Sequence, residues 1–284
     1  MRLKLIACEV LFRELCDACA HSSHQVNPEF LPKGLHDLGG KPMAAKIQDA
    51  VDRTAEGACD AILLGYGLCG NGLDGVTARH TRLVAPRAHD CIALLLGSRQ
   101  RYQAYFDANP GTYYRSTGWL ERAKDVQQLS HRTVGMDEEI GLRAGDSVAS
   151  SGRSLTLAVP NGAASVTERG GAVEEHLAVA ALAALIRQYG EDNGRYLYGE
   201  LTRYQSQYSK LAFIETGLEP GPRFLAEAAA EAADKGWSFE RLPGDMAWLR
   251  RMVNGEWDES EFVIAQPGQR IVASFDGAVL RVEG

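Results

Sequence analysis

Three cysteines stand just beyond short apolar runs: Cys8 after LKLIA, Cys69 after AILLGYGL and Cys91 after RLVAPRAHD. Apolar runs of this length are the mark of strands covered on both faces of a parallel sheet. In open α/β sheets the carboxyl ends of the strands open onto the ligand crevice, where residues distant in sequence meet. Two histidines share the setting, His36 beyond VNPEFLPKGL and His89 two residues before Cys91. Thiolates and imidazoles are metal ligands. Three thiols and two imidazoles in strand-end loops therefore point to a metal or iron–sulfur site at Cys8, Cys69 and Cys91.

The surroundings of each cysteine sharpen this. Cys69 lies within GYGLCGNGLDG, where Gly67, Gly70 and Gly72 allow positive φ and close backbone approach. Such a loop turns several N–H donors toward a thiolate or a cluster, so these glycines are candidate cofactor-binding positions. It is not a dinucleotide fingerprint, because no capped helix opens directly behind it, and no GK[ST] occurs anywhere. In PRAHDC, Asp90 is a candidate N-cap, and a cysteine at a helix N-terminus is favoured as thiolate. His89 and His36 are the candidate catalytic groups, placed to orient a ligand or move a proton. Cys8 alone would be an ordinary small buried residue; its case rests on the other two.

Other candidates are weaker. Cys16 and Cys19 form C-x-x-C with His21 and His24 nearby, but both cysteines fall inside a helix and no second pair follows at zinc-finger spacing. Core packing is the expectation there, as it is for Cys59 at a strand entrance. Tyr196, Glu200, Tyr204 and Tyr208 recur every four residues and share one helical face. That face either packs on the sheet or lines a pocket with phenols.

The elements that must position these groups follow from periodicity. Residues 3–7 are expected as a strand, 9–20 as a helix and 25–31 as a second strand, with a helix from Pro42. CDAILLGY and TRLVAP supply the third and fourth strands. One helix is expected over CIALLLGSRQRYQAYFDA, and GTYYRSTG gives a short fifth strand. Residues 126–172, rich in Ser, Gly and Asp, look like an insertion or lid, with SLTLAV their one periodic run. Helices near 173–190 and 191–208 precede strand KLAFIET, helix PRFLAEAAAEAADKG and strand WSFERLP. A helix DMAWLRRMVNGEW, then EFVIAQPG and a hairpin turned at Asp276-Gly277, end the chain. The expected fold is α/β, a parallel sheet of Rossmann/flavodoxin-like type. It divides into an N-terminal half (1–125) carrying the Cys/His site, the insertion, and a C-terminal half (173–284) facing it across a cleft.

Composition narrows the setting. A formal net charge of −7 over 284 residues gives no reason to expect nucleic acid or an anionic membrane surface. No apolar run approaches the roughly 20 residues of a membrane span. MRLKLIACEV enters a strand directly, with no secretory leader pattern, so a cytoplasmic protein is expected. In that compartment six cysteines are thiols or ligands in preference to disulfides.

Several of these stretches, in order, resemble the DUF1638 family of bacterial and archaeal proteins, which has no assigned function. The resemblance is carried by LIACEVLFREL, FLPKGLHDLGGK, LLGYGLCGNGL, RAHDCIALLLGSRQRY and GTYYRSTGW. It continues through YGEDNGRYL, KLAFIETG and GDMAWLRRMVNGEWDESEFVIAQPGQRI. It implies that Cys8, His36, Cys69, His89 and Cys91 are the family's characteristic polar positions, and it suggests a setting near corrinoid-dependent methyltransferase systems. No mechanism comes with it.

From the residues, with the corrinoid setting that the resemblance implies, two functions are expected. The first is a metalloenzyme: a [4Fe–4S] cluster on three cysteines, slightly ahead of zinc, activates a small-molecule substrate in a lyase, group-transfer or methyl-transfer reaction. The second is an accessory protein that binds a metal or ligand for a corrinoid methyltransferase. Metal-free nucleophilic catalysis by Cys91 with His89 is a third and would not need Cys8.

Overall fold

In the computed structural model the described residues are 1–122 and 208–284 except 275, together with 183, 186, 187 and 191. The first sheet is built on β1 (Arg2–Cys8), which pairs in parallel with β2 (Gln25–Leu31) on one side and β3 (Ala61–Gly65) on the other. β4 (Leu83–Pro86) adds in parallel beyond β3. Between the strands run α1 (Phe12–Ala20) and α2 (Gly40–Asp52), each with one buried apolar face. All residues of β3 and β4 are buried, as their uninterrupted apolar sequence requires. β2 is the edge strand. It is largely exposed, carries Pro28, which a central strand would reject, and ties Glu29 to Lys4 of β1 at 2.8 Å.

Two features depart from a single doubly wound sheet. The fifth strand, β5 (Thr112–Ser116), does not join β1–β4. It pairs in parallel with β6 (Lys210–Glu215), which pairs in parallel with β7 (Ser238–Pro243), making a separate three-stranded sheet. Conversely β8 (Phe262–Ala265) returns to the first sheet and closes it antiparallel to β4, giving the order β2-β1-β3-β4-β8. Each half of the chain thus lends a strand to the other half's sheet, and both sheets belong to one compact unit. β9 (Arg270–Ala273) and β10 (Leu280–Glu283) form the expected antiparallel hairpin. The fold is α/β and Rossmann-like, with one mixed and one parallel sheet.

The long helix expected after Asp90 is two helices, α3 (Cys91–Leu95) and α4 (Arg99–Ala108). Gly97 breaks it with φ +80°, and the side of Gly97 where a Cβ would project is filled by Asp245. Ser98 then caps α4 by accepting from the Arg101 amide at 3.1 Å. α5 (Thr117–Glu121) follows β5 directly, and Gly118 lies so close to the Val10 carbonyl that no larger residue fits. α6 (Arg223–Asp234) links β6 to β7, and α7 (Ala247–Val253) packs on α1 and β3. Among the described residues no helix is long and apolar enough to cross a membrane. The insertion or lid expected over 126–172 with its SLTLAV run, all but a few residues of the two helices expected between 173 and 208, and Tyr196, Glu200 and Tyr204 fall outside the described residues.

One buried carboxyl stands out in this core. Glu14 of α1 is 1% exposed; one oxygen accepts from the Thr216 hydroxyl at 3.1 Å, and the other has no partner. Burial raises its pKa above the ordinary 4.5, against hydrogen bonds that pull it down. A raised folded pKa means the stability of the neutral form is complete below about 4.5 and is lost as pH climbs through the folded value. Glu14→Gln should therefore stabilise the protein at pH 8 by about 1–3 kcal/mol and leave it unchanged at pH 4. Urea denaturation at the two pH values checks this; equal effects at both would refute it.

Candidate functional site

The loops after β1, β3 and β4 bring Cys8, Cys69 and Cys91 together with His36. Cys8 ends β1 and is buried; its Sγ lies 3.4 Å from His36 Nε2. His36 comes from a 3-10 helix, Lys33–Leu38, that follows β2. Its imidazole is also coupled electrostatically to the Cys69 thiol. Cys69 in turn is coupled electrostatically to Cys91, the first residue of α3, which is buried. Cys8, His36, Cys69 and Cys91 thus share one neighbourhood, with one member from each of four strand-end loops.

The β3 loop is held tightly to the β4 loop. The Leu68 and Cys69 amides donate to the Ala88 and His89 carbonyls, both at 2.8 Å. Gly67 presses on Asp90: a Cβ there would lie 2.6 Å from the Asp90 N and Cα. Gly72 packs in the same way against Met43 of α2. Packing alone thus accounts for Gly67 and Gly72, whereas Gly70, at φ +67°, has open space on its Cβ side. Cys69 itself is left-handed at φ +46°, as is Asn71 at +71°. A non-glycine residue there costs about 1–3 kcal/mol and persists only where surrounding structure imposes it, which is common at ligand sites.

Asp90 caps α3 by accepting from the Ala93 amide at 3.1 Å and takes the Tyr102 hydroxyl at 3.0 Å. Burial raises its pKa. The thiols and imidazole share charge. Burial opposes protonation of His36, but hydrogen bonds to Cys69 and Cys8 outweigh it and push its pKa up to about 10. The hydrogen bond from Cys91 and that from His36 hold Cys69 below the ordinary thiol value against burial. Cys91 is driven the other way by the same bond and by burial. In the metal-free protein the negative charge thus sits on Cys69 and the positive charge on His36.

Sequence reasoning missed four neighbours. Tyr66, between Gly65 and Gly67, is 1% exposed, and its hydroxyl has no partner. Burial raises its pKa well above 10, and the charges of Cys8, Cys69, Glu9 and Cys91 all act on it, which places it among the thiols. Glu9 accepts from the Lys33 amide at 2.8 Å. Buried Lys33 lies over the Trp119 ring at 5.4 Å, and Trp119 packs on His36 with ring centroids 6.2 Å apart. The signal for Tyr66 was its place in the glycine loop, and for Lys33 its place three residues before His36.

The remaining candidates lie elsewhere. The His89 ring is exposed, and only its carbonyl serves the loop. Cys16 and Cys19 are half-buried on α1, where burial pushes Cys19 up to about 11. Cys59 is buried at the entrance to β3. Tyr208 packs with Tyr113 and Trp237 on the second sheet, ring centroids 5.1 and 5.7 Å away. Among the described residues, no three His, Cys, Asp or Glu side chains converge on a point that would hold a single metal ion. A cleft of about 180 Å³ is bounded by Ile92, next to Cys91, and by Trp119, on His36. A larger one, about 290 Å³, lies at the opposite, amino edge among Arg2, Lys4 and Asn27. Neither cleft is lined by Cys8, His36, Cys69 or Cys91.

No curated protein and no solved structure matches the chain. A family model does: residues 30–144 match DUF1638, a protein of unknown function, a span that takes in His36, Cys69, His89 and Cys91 and leaves Cys8 outside. Over residues 30–144, the chain carries a domain of the DUF1638 family.

Proposed function

We propose that Cys8, Cys69 and Cys91 hold a metal centre that binds and activates a small-molecule substrate, in a lyase or a group- or methyl-transfer reaction. The observation that carries this is the meeting of three thiols from three separate loops at the carboxyl edge of the sheet, around a buried phenol with no partner. A [4Fe–4S] cluster is favoured over zinc. Three cysteines on three separate loops, unlike a C-x-x-C staple, match the three-cysteine cluster pattern, in which each cysteine bonds a different iron. Bound by three cysteines, a cluster supplies an iron with an open position as a Lewis acid. Around it, the β3 and β4 loops fix the thiols, Trp119 and Lys33 orient His36, and His36 is the group that can hold a proton beside the substrate. The six free cysteines agree with a reducing, cytoplasmic setting.

The second reading is a binding protein that serves a corrinoid methyltransferase system. One observation favours it: His36 lies 3.4 Å from the Cys8 thiol, so it could close the ligand set. Anaerobic purification with iron, zinc and acid-labile sulfide analysis tests both readings. The catalytic reading expects a brown protein containing iron and sulfide, with metal content preserved in His36→Ala. Zinc without sulfide would replace the cluster; loss of all metal in His36→Ala would favour the closed, non-catalytic site. A metal-free wild-type protein would overturn both.

A further inference from the structure

The cavity of about 290 Å³ at the amino edge of the first sheet lies away from the thiols and plays no part in their chemistry. Its size is near the lower end of small-ligand pockets, roughly 300–1,000 Å³. One wall is the amino half of β1 and β2. The parallel register sets Arg2 beside Gln25 and Lys4 beside Asn27, and residues two apart on a strand share a face, so these four polar side chains stand together. The facing wall is the carboxyl end of α2, which brings Arg53, and the turn beyond it, which brings only small groups such as Ala55 and Ala58. Three cationic side chains, Arg2, Lys4 and Arg53, therefore line the cavity against one carboxylate, Glu29. Half-buried Lys4 and exposed Arg53 share that carboxylate, one on each oxygen, at 2.8 and 2.7 Å. Glu29 is thereby satisfied, while both cations keep donors to spare, since an ammonium has three and a guanidinium five. Arg2 donates to the Gly57 carbonyl at 3.1 Å and stands 3.7 Å from Asp60, outside the cavity. Even with Asp60 counted, three positive groups meet two negative ones, in a chain of formal net charge −7. Exposed ion pairs contribute little to stability, so fastening the sheet edge does not explain a surplus of cations around an open volume.

We propose that this cavity is a second ligand site, one that binds the phosphate group of a compact aliphatic phosphate ester between Arg2, Lys4 and Arg53. Two guanidinium forks on facing walls match the spread of phosphate oxygens, and the ammonium between them acts as a point charge. The Gln25 and Asn27 amides supply further donors on the same face. The volume is about ten times the roughly 30 Å³ that a water molecule occupies in the liquid, which leaves room for a short carbon chain beside the phosphate. Among the described residues no aromatic ring lines the cavity to stack a base, so a nucleotide is a poor fit. The site stands at the opposite edge of the sheet from Cys8, Cys69 and Cys91, and the proposal does not rest on the metal-centre reading.

The test titrates the full chain by calorimetry with glycerol 3-phosphate and with succinate, a dicarboxylate of the same charge, in wild type, Arg53→Gln, Lys4→Gln and Arg79→Gln. Arg79 is exposed, pairs with Asp52 and lies outside the cavity, so its variant reports the general loss of one positive charge. Wild type is expected to bind glycerol 3-phosphate with a Kd below about 1 mM, and more tightly than succinate. Arg53→Gln and Lys4→Gln are expected to weaken that binding about tenfold or more, and Arg79→Gln to leave it unchanged. Arg53 is exposed at the end of a helix, so its variant decides the matter alone should Lys4→Gln fail to fold. Absence of glycerol 3-phosphate binding in wild type, or unchanged affinity in a folded cavity variant, overturns the proposal. Equal binding of succinate would show a site for anions in general and overturn the phosphate assignment. An equal loss in Arg79→Gln would show attraction by overall charge and overturn the site itself.

Discussion

A Cys69→Ser protein purified without oxygen is expected to lose essentially all of its iron and sulfide, and Cys8→Ser and Cys91→Ser to do the same. Each thiol comes from a different loop, so no neighbouring cysteine is placed to substitute for it. Cys69 is central to the set, coupled electrostatically to both Cys91 and His36, and a serine hydroxyl is a poor replacement for a thiolate ligand. The Cys16→Ala, Cys19→Ala double variant is the control and should retain full metal. Burial raises both of those thiols, the second to about 11, so neither is favoured as the thiolate that binds metal. Elemental and sulfide analysis reads the result. Retention of metal in the three single variants, with loss in the double variant, would place the centre on α1 instead. Full activity of Cys8→Ser on an identified substrate would favour a metal-free cysteine nucleophile.

The second large effect is on stability. Gly67→Ala should destabilise the protein by about 1–3 kcal/mol and lower its metal content. The new Cβ would lie 2.6 Å from the Asp90 N and Cα and 2.7 Å from its carbonyl carbon, all backbone atoms that have no rotamer to change. Neither loop can retreat cheaply, because the Leu68 and Cys69 amides are bonded to the Ala88 and His89 carbonyls. The strain falls on the one junction that holds Cys69 against Cys91. Gly70→Ala provides the comparison: it meets nothing within 4 Å and carries only the strain of its positive φ, about 1–2 kcal/mol. Urea denaturation with metal analysis distinguishes them. Gly67→Ala should lose both stability and metal, whereas Gly70→Ala should lose stability alone; a wild-type midpoint for Gly67→Ala would show that the loops are not locked as the contacts indicate.

The pairing of Cys69 with Cys91 shows how far sequence reasoning reached. β1, β3 and β4 are short runs with almost no polar residue, and burial on both faces demands that pattern wherever the strand lies in a parallel sheet. The positions of the three cysteines beyond those strands followed directly. The helix over 91–108 was misjudged because hydrophobic periodicity continues across Gly97, while the break depends on Asp245, which occupies the space beside that glycine from far along the chain.

By itself, the sequence determined the α/β class, the strand-end placement of Cys8, Cys69 and Cys91, and the hairpin at the end of the chain, because apolar periodicity and turn chemistry are local. Only the tertiary structure decided which strands are neighbours. TYYRS and FVIA are recognisable as strands, but nothing in either says that the first pairs with residues 210–215 and the second with 83–86. That choice is made by packing between segments more than 90 residues apart. The same holds for the site. Both histidines follow strands, yet only the 3-10 turn after β2 carries an imidazole onto the thiols, while the His89 ring is left in solvent. That the Tyr66 hydroxyl is buried without a partner is visible only in the folded chain. Hydrogen-bond satisfaction is a property of what surrounds a group in space, and sequence does not contain it.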